Sequence, residues 1–301
     1  MQEAKQKIET QLKHNRPNLS ASSLNTYTII LASIYKKVFG NDADFDINKF
    51  DKDADKILEH LKDTNAGTRK TKLACLFVLS KNNKYQTQMV KDIGSYNEDL
   101  SKQEKNDKQT ASWVNTDQLK QKYDELKHTA DLLYKKQSHT ANDMQQIQDY
   151  ILMCLYSNMF IPPRRLLDYC AFKMREIDQE KDNYMNKNTF VFNTYKTSKV
   201  YGKQTVVIPV QLRNILNKWN KLSGNDYLLF DKAGNPLTNV KLNQRLKSIL
   251  GNNSSVNAIR HGVLTDIFAP DIEMQNKMKA TATAMGTSAS TIQSQYLKKE
   301  N

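Results

Sequence analysis

The chain has 301 residues, 26% charged and 39% hydrophobic, so it is foldable rather than disordered and long enough for two cores. A net charge of +13 points to a polyanionic partner, nucleic acid before others. No apolar run is long enough to span a membrane, and the opening MQEAKQKIETQLKHNRP lacks the apolar core of a signal peptide, so a cytoplasmic or nuclear protein is expected.

Helical spacing prevails from the start. Residues 1–13 read as a helix. Residues 20–39, behind a serine-rich cap, place Leu24, Tyr27, Ile30, Leu31, Ile34, Tyr35 and Val38 on one face. Residues 54–63 and 66–80 continue the pattern, the latter with Thr68 as its cap and Leu73, Leu76, Phe77 and Leu79 behind it. These helices make a small N-terminal domain over 1–97. Between them, Asp42, Asp44, Asp46 and Asp53 imitate the spacing of an EF-hand loop. Ile47 stands where the loop needs glycine, and the twelfth position is Asp rather than Glu, so no calcium site is expected. Residues 98–112, polar and aperiodic, read as a linker.

The second domain, 113–301, opens with helices near 116–137 and 141–160, the latter apolar on most faces. TFVFNT (189–194) and QTVVIPV (204–210) alternate as β-strands and flank a basic turn, which predicts a hairpin. Residues 210–222 form an amphipathic helix whose stripe includes Trp219, placing that ring in the core rather than on a base. A strand at 227–230, helices at 239–250 and 255–269, and helical patches up to Tyr296 follow. Cys75, Cys154 and Cys170 sit in apolar surroundings without C-x-x-C spacing and read as buried thiols. The fold class is mainly α with a small β-hairpin or sheet (α+β).

Four segments concentrate chemistry: PPRRLLDY (162–169), TYKTSKVYGKQ (194–204), VNAIRHGVLTDIF (256–268) and MGTSASTIQSQYLK (285–298). Guanidinium forks suit phosphate oxygens, a lysine can protonate a leaving oxygen, and a tyrosine can attack phosphorus. Singly, Arg164 and Arg165 read as helix-end charges, Lys196 as solvated, His261 as structural and Tyr296 as a packing residue. Their joint order carries the weight. No carboxylate cluster or His/Cys ligand set accompanies them, so neither metal nor cofactor is expected. Arg69, Lys70 and Lys72 begin a helix of the N-terminal domain and are candidate phosphate contacts, alongside Arg164, Lys199 and Lys203.

In this order the segments resemble the catalytic domain of tyrosine recombinases, the phage-integrase family. The resemblance extends over 113–301, and the helical N-terminal domain resembles that family's core-binding domain. It implies a two-domain, C-shaped clamp on double-stranded DNA and strand exchange through a 3′-phosphotyrosyl intermediate. Arg165, followed by Leu-Leu-Asp168, fits the family's first arginine and its acidic partner. Lys196 fits the hairpin lysine, Arg260 with His261 the Arg-His pair, and Tyr296 the nucleophile. The family's remaining two positions are Asn257, where histidine is usual, and Thr287, where histidine or tryptophan is usual. Asn257 can donate a hydrogen bond but cannot shuttle a proton, and Thr287 offers one hydroxyl. The Pro-Pro-Arg-Arg and Tyr-Lys-Thr…Tyr-Gly segments resemble integrases of large DNA viruses and their satellite elements, which adds a virion to the expected locations. A monomer in free solution, assembling to a dimer or tetramer on DNA, is expected from the short segment after Tyr296. Rival readings are relaxation of supercoils in the manner of type IB topoisomerases, a non-catalytic DNA-binding protein, and a basic helical interaction protein.

Overall fold

The computed structural model describes residues 2–40, 45–251 and 254–298. Asp42 and Asp44 of the EF-hand imitation lie outside the described residues. The chain divides into two compact units, Met1–Glu104 and Lys105–Asn301.

The first unit is helical throughout: α1 (Gln2–Asn15), α2 (Ala21–Phe39), α3 (Lys49–Lys52), α4 (Ala54–Leu61), α5 (Ala66–Ser80) and α6 (Asn83–Ser101). Ser20 caps α2 by accepting from the Ser23 N–H. The cap of α5 is Asn65, which accepts from the Thr68 N–H; Thr68, predicted as the cap, is one turn inside. Ile8, Leu12, Leu31, Phe50, Ile57, Leu73, Leu76 and Tyr85 fill one core. The segment read as a linker is largely helical: α6 runs to Ser101 and α7 spans Asp107–Ala111. The Asn106 side chain opens α7 with a reciprocal cap from Gln109, a polar pairing that hydrophobic periodicity does not register.

The second unit continues with α8 (Thr116–Leu133), α9 (Ala141–Tyr156) and α10 (Leu167–Cys170). Both long helices start in capping boxes, Asn115 with Gln118 and Thr140 with Asp143. The Lys136 ammonium, then the Thr140 N–H, hold the Asp143 carboxyl down at about 2. Helix α9 ends at Tyr156 rather than 160. The Pro162-Pro163 pair disfavours helical backbone before it, so the chain crosses to α10 without helix. A three-stranded antiparallel sheet follows, β1 (Tyr184–Asn186), β2 (Thr189–Phe192) and β3 (Gln204–Val207), in that order. Its β2–β3 register pairs Phe190 with Val206 and Phe192 with Gln204. β1 is too short to show alternation in the sequence, and a one-turn helix, α11 (Ser198–Tyr201), interrupts the predicted turn. Then come α12 (Val210–Ser223), α13 (Asn239–Leu250), α14 (Val256–Ala284) and α15 (Ala289–Thr291), with a π-helical turn over Ile292–Tyr296. The strand predicted at 227–230 reduces to isolated bridges, Tyr227 with Lys173 and Phe230 with Pro236. Trp219 is fully buried, donates to the Leu228 carbonyl at 2.9 Å and stacks on Phe230, as its stripe position implied. All three cysteines are buried free thiols, and burial pushes Cys75 and Cys154 up to about 12.

The two ends of α14 differ in kind. Val256, Ile259 and Val263 enter the core of the second unit. From Leu264 to Lys298, Ala282 and Ile292 are the buried side chains among the described ones. Helix α14 runs on through Pro270, whose missing N–H removes one rung of the ladder, to Ala284, beyond the predicted end at 269. Among the described residues no helix is long and apolar enough to cross a membrane.

Candidate nucleic-acid interface

A cleft of about 540 Å³ opens in the second unit. One wall is the Pro162–Arg165 segment with Asp168. The facing wall is the β2–β3 connection, through Tyr195, Thr197, Tyr201 and Gln204. Arg260, on the first turns of α14, lines the cleft as well.

Helix α14 reaches this position because of Gly262. A Cβ there would lie 1.8 Å from the Val114 carbonyl oxygen, so any side chain collides with backbone. Asp266, one turn on, accepts from the N–H of Thr116 at 2.8 Å and from its hydroxyl, tying α14 to the start of α8. Arg260 is thereby held in place by the close approach of backbone at Gly262 and the tie at Asp266.

The three arginines do different things. Arg164 is built into the wall. Its Nε donates to Asp168 at 2.8 Å and its Nη2 to Gln204 at 3.1 Å, while its guanidinium carbon lies 4.0 Å above the Phe192 ring. It therefore fastens the β2–β3 connection to α10 while still lining the cleft. Arg165 and Arg260 form no hydrogen bond or ion pair through their guanidinium groups among the described residues.

Electrostatics sharpen the contrast. Asp168 is buried, and burial raises its carboxyl above the ordinary value against the pull of Arg164, Arg165 and Arg260. One of its oxygens, Oδ1, has no hydrogen-bond partner. Burial, then the charge of Arg165, push Arg260 down from its usual value. Three guanidinium groups around one carboxylate leave a positive excess that an incoming anion relieves. Beneath the cleft, the buried hydroxyls of Tyr156 and Tyr169 are also without partners.

The other expected site residues lie elsewhere. Lys196 sits between two cleft-lining residues but is exposed and outside the lining. Lys199 and Lys203 are on the same connection, both exposed. Asn257 and His261 are exposed on α14. Thr287 is half-buried after the end of α14, where its N–H donates to the Ala282 carbonyl, and does not line the cleft. Tyr296 is 61% exposed on the π-helical turn and does not line it either. The structure thus gathers Arg164, Arg165, Asp168 and Arg260 and leaves the remaining expected residues apart.

In the first unit, Arg69 is engaged within the fold. It pairs with buried Asp92 through Nε at 2.8 Å and Nη2 at 2.7 Å, and its Nη1 donates to the Lys62 carbonyl at 2.5 Å. Lys70 lies over the Tyr96 ring, 3.3 Å from its centroid. Lys72 is half-buried and forms no ion pair among the described residues. Gln204 and Tyr195 shape the cleft without having stood out individually in the sequence. The Arg164–Asp168 spacing of four residues was the available signal that Arg164 serves the fold.

No protein-family model matches the chain, and no curated protein matches it. The crystal structure of XerA recombinase is similar to it over 87% of this chain and 84% of that chain, with a TM-score of 0.35 and 9% sequence identity. A likeness at that level carries no argument.

Proposed function

We propose that the protein cuts and rejoins double-stranded DNA as a site-specific tyrosine recombinase, with Arg165 and Arg260 holding the scissile phosphate. The observation that carries this reading is the pair of guanidinium groups left without carboxylate partners in a cleft of a strongly basic chain. The order of Arg165, Lys196, Arg260 and Tyr296 supplies the rest.

In the reaction, Tyr296 Oη gives up its proton to solvent water and forms a bond to the DNA phosphorus. The bond from phosphorus to the 5′-oxygen breaks, and that oxygen takes a proton from Lys196. The product is a 3′-phosphotyrosyl bond and a free 5′-hydroxyl. The covalent bond keeps the phosphodiester energy for religation, so the cycle runs without ATP. The five-coordinate transition state carries extra negative charge on its non-bridging oxygens. Arg165 and Arg260 are suited to it because their charge is not already neutralised. Asn257 and Thr287 would add single hydrogen bonds, and Asp168 with Arg164 would keep the wall rigid. The reading requires Tyr296 and Lys196 to approach the cleft when DNA binds. Tyr296 lies beyond Gly286, whose φ of 66° closes the end of α14.

A second reading has an observation of its own: Tyr296, Lys196 and Thr287 all stand outside the cleft. A DNA-binding protein that never forms the covalent bond would need only the arginines. Incubation with nicked suicide duplexes drawn from a mixed-sequence library separates the two. A denaturant-resistant adduct, absent in Tyr296→Phe and reduced about 10²-fold or more in Arg260→Ala, is the expected result. Salt-sensitive binding of a library duplex without any adduct would establish the second reading.

A further inference from the structure

A second cavity, of about 410 Å³, opens among α8, α9 and α12 and shares no lining residue with the arginine cleft. Its size falls within the range of about 300–1,000 Å³ typical of small-ligand sites. Tyr123, Tyr134, Tyr150 and Phe160 form its aromatic walls. The Tyr123 ring meets Tyr150 at 5.5 Å and 44°, and Phe160 at 5.8 Å and 70°, so the walls are mutually braced.

Core packing accounts for those rings, but the charge at the rim is unbalanced. Lys127 is neutralised by Asp131 at 2.7 Å, whereas Lys218 has no carboxylate within ion-pair distance among the described residues. Its Nζ instead lies 3.9 Å from the Tyr134 ring centroid. The Tyr134 hydroxyl is buried away from the cavity, so the ring alone forms the wall there. The uncompensated ammonium gives the cavity a net positive charge.

We propose that this cavity binds a small planar aromatic ligand carrying an anionic group, its ring against the aromatic walls and its anion at Lys218. An aromatic cation is disfavoured, because Lys218 already occupies the face of Tyr134 where a cation would sit. A free aromatic carboxylate and a mononucleotide share this chemistry. The site stands independently of the reading of the arginine cleft.

Isothermal titration of the full-length protein tests it with 4-hydroxyphenylacetate, AMP, and tyramine, which keeps the ring of the first probe but reverses its charge. At least one of the two anions is expected to bind, with tyramine about tenfold weaker or more. Binding of AMP alone assigns the site to nucleotides, and of 4-hydroxyphenylacetate alone to carboxylates. Lys218→Ala is expected to weaken the anion about tenfold, while Arg260→Ala leaves it unchanged. The proposal is overturned if neither anion binds, if tyramine binds equally well, if Lys218→Ala has no effect, or if the binding follows Arg260 instead.

Discussion

Arg69 and Arg260 are both half-buried arginines near the start of a helix, yet their surroundings push them in opposite directions. The hydrogen bonds to Asp92 raise Arg69 above its usual value, whereas burial and the neighbouring Arg165 lower Arg260. In the first unit Arg69 has its complement: two charge-assisted bonds, a third to the Lys62 carbonyl, and Gln88 donating to the same aspartate. In the second unit Asp168 serves Arg164 and leaves Arg165 and Arg260 over. An arginine with its own carboxylate holds the fold together. An arginine crowded by another cation, at the edge of a cleft, is available to an anion.

The comparison can be broken at several points. Asp92→Ala strands the Arg69 charge in a partly buried place and is expected to cost about 3–5 kcal/mol. Replacing both partners, Arg69→Met with Asp92→Leu, should restore most of that stability, and denaturant unfolding of the three proteins checks it. A pH series sharpens the same point. The Arg69 hydrogen bonds lower the Asp92 carboxyl below its ordinary value. The resulting stabilisation is therefore complete above the unfolded value of about 4 and fades as pH falls toward the lowered folded value. The double variant should lack that part of the acid loss.

Gly262→Ala probes the second unit. The added carbon meets the Val114 carbonyl, and a loss of about 3 kcal/mol is expected. Because Arg260 rides on the same turns, DNA affinity should fall with it, measured at a temperature where the variant is still folded. The distal half of α14 is expected to behave oppositely. Deleting residues 271–301 removes few buried side chains, so stability should change by less than about 1 kcal/mol while any covalent adduct disappears. The smallest effect belongs to Lys196→Ala: within about 0.5 kcal/mol of wild-type stability, with any loss confined to cleavage rate.

What was legible in the sequence follows the same physics. Helices with an apolar stripe and a polar cap, such as 20–39, 210–222 and 239–250, could be read to within a residue or two. Segments held by other means could not. Helix α6 is fastened by the Arg69–Asp92 pair, 23 residues apart in the chain, and α7 by a side-chain cap. β1 owes its existence to β2. Helix α14 passes a proline and gains little burial beyond Val263, so neither periodicity nor breaker rules locate its end. In the site, the segments that carry Arg165 and Arg260 stood out in the sequence, and both arginines line one cleft. The pairings of Arg164 and Arg69 did not stand out, because both depend on which carboxylate the fold brings within hydrogen-bond distance.

The most direct measurement is the salt dependence of duplex binding, with log Kd plotted against log salt for three proteins: wild type, the Arg69→Met/Asp92→Leu pair, and Arg165→Ala/Arg260→Ala. If the cleft arginines hold DNA phosphate and Arg69 does not, the first two slopes coincide. The third is then shallower by about one for each phosphate that is no longer neutralised. A slope unchanged by Arg165→Ala/Arg260→Ala, or one reduced by the Arg69→Met/Asp92→Leu pair, would contradict the assignment of the phosphate to the cleft.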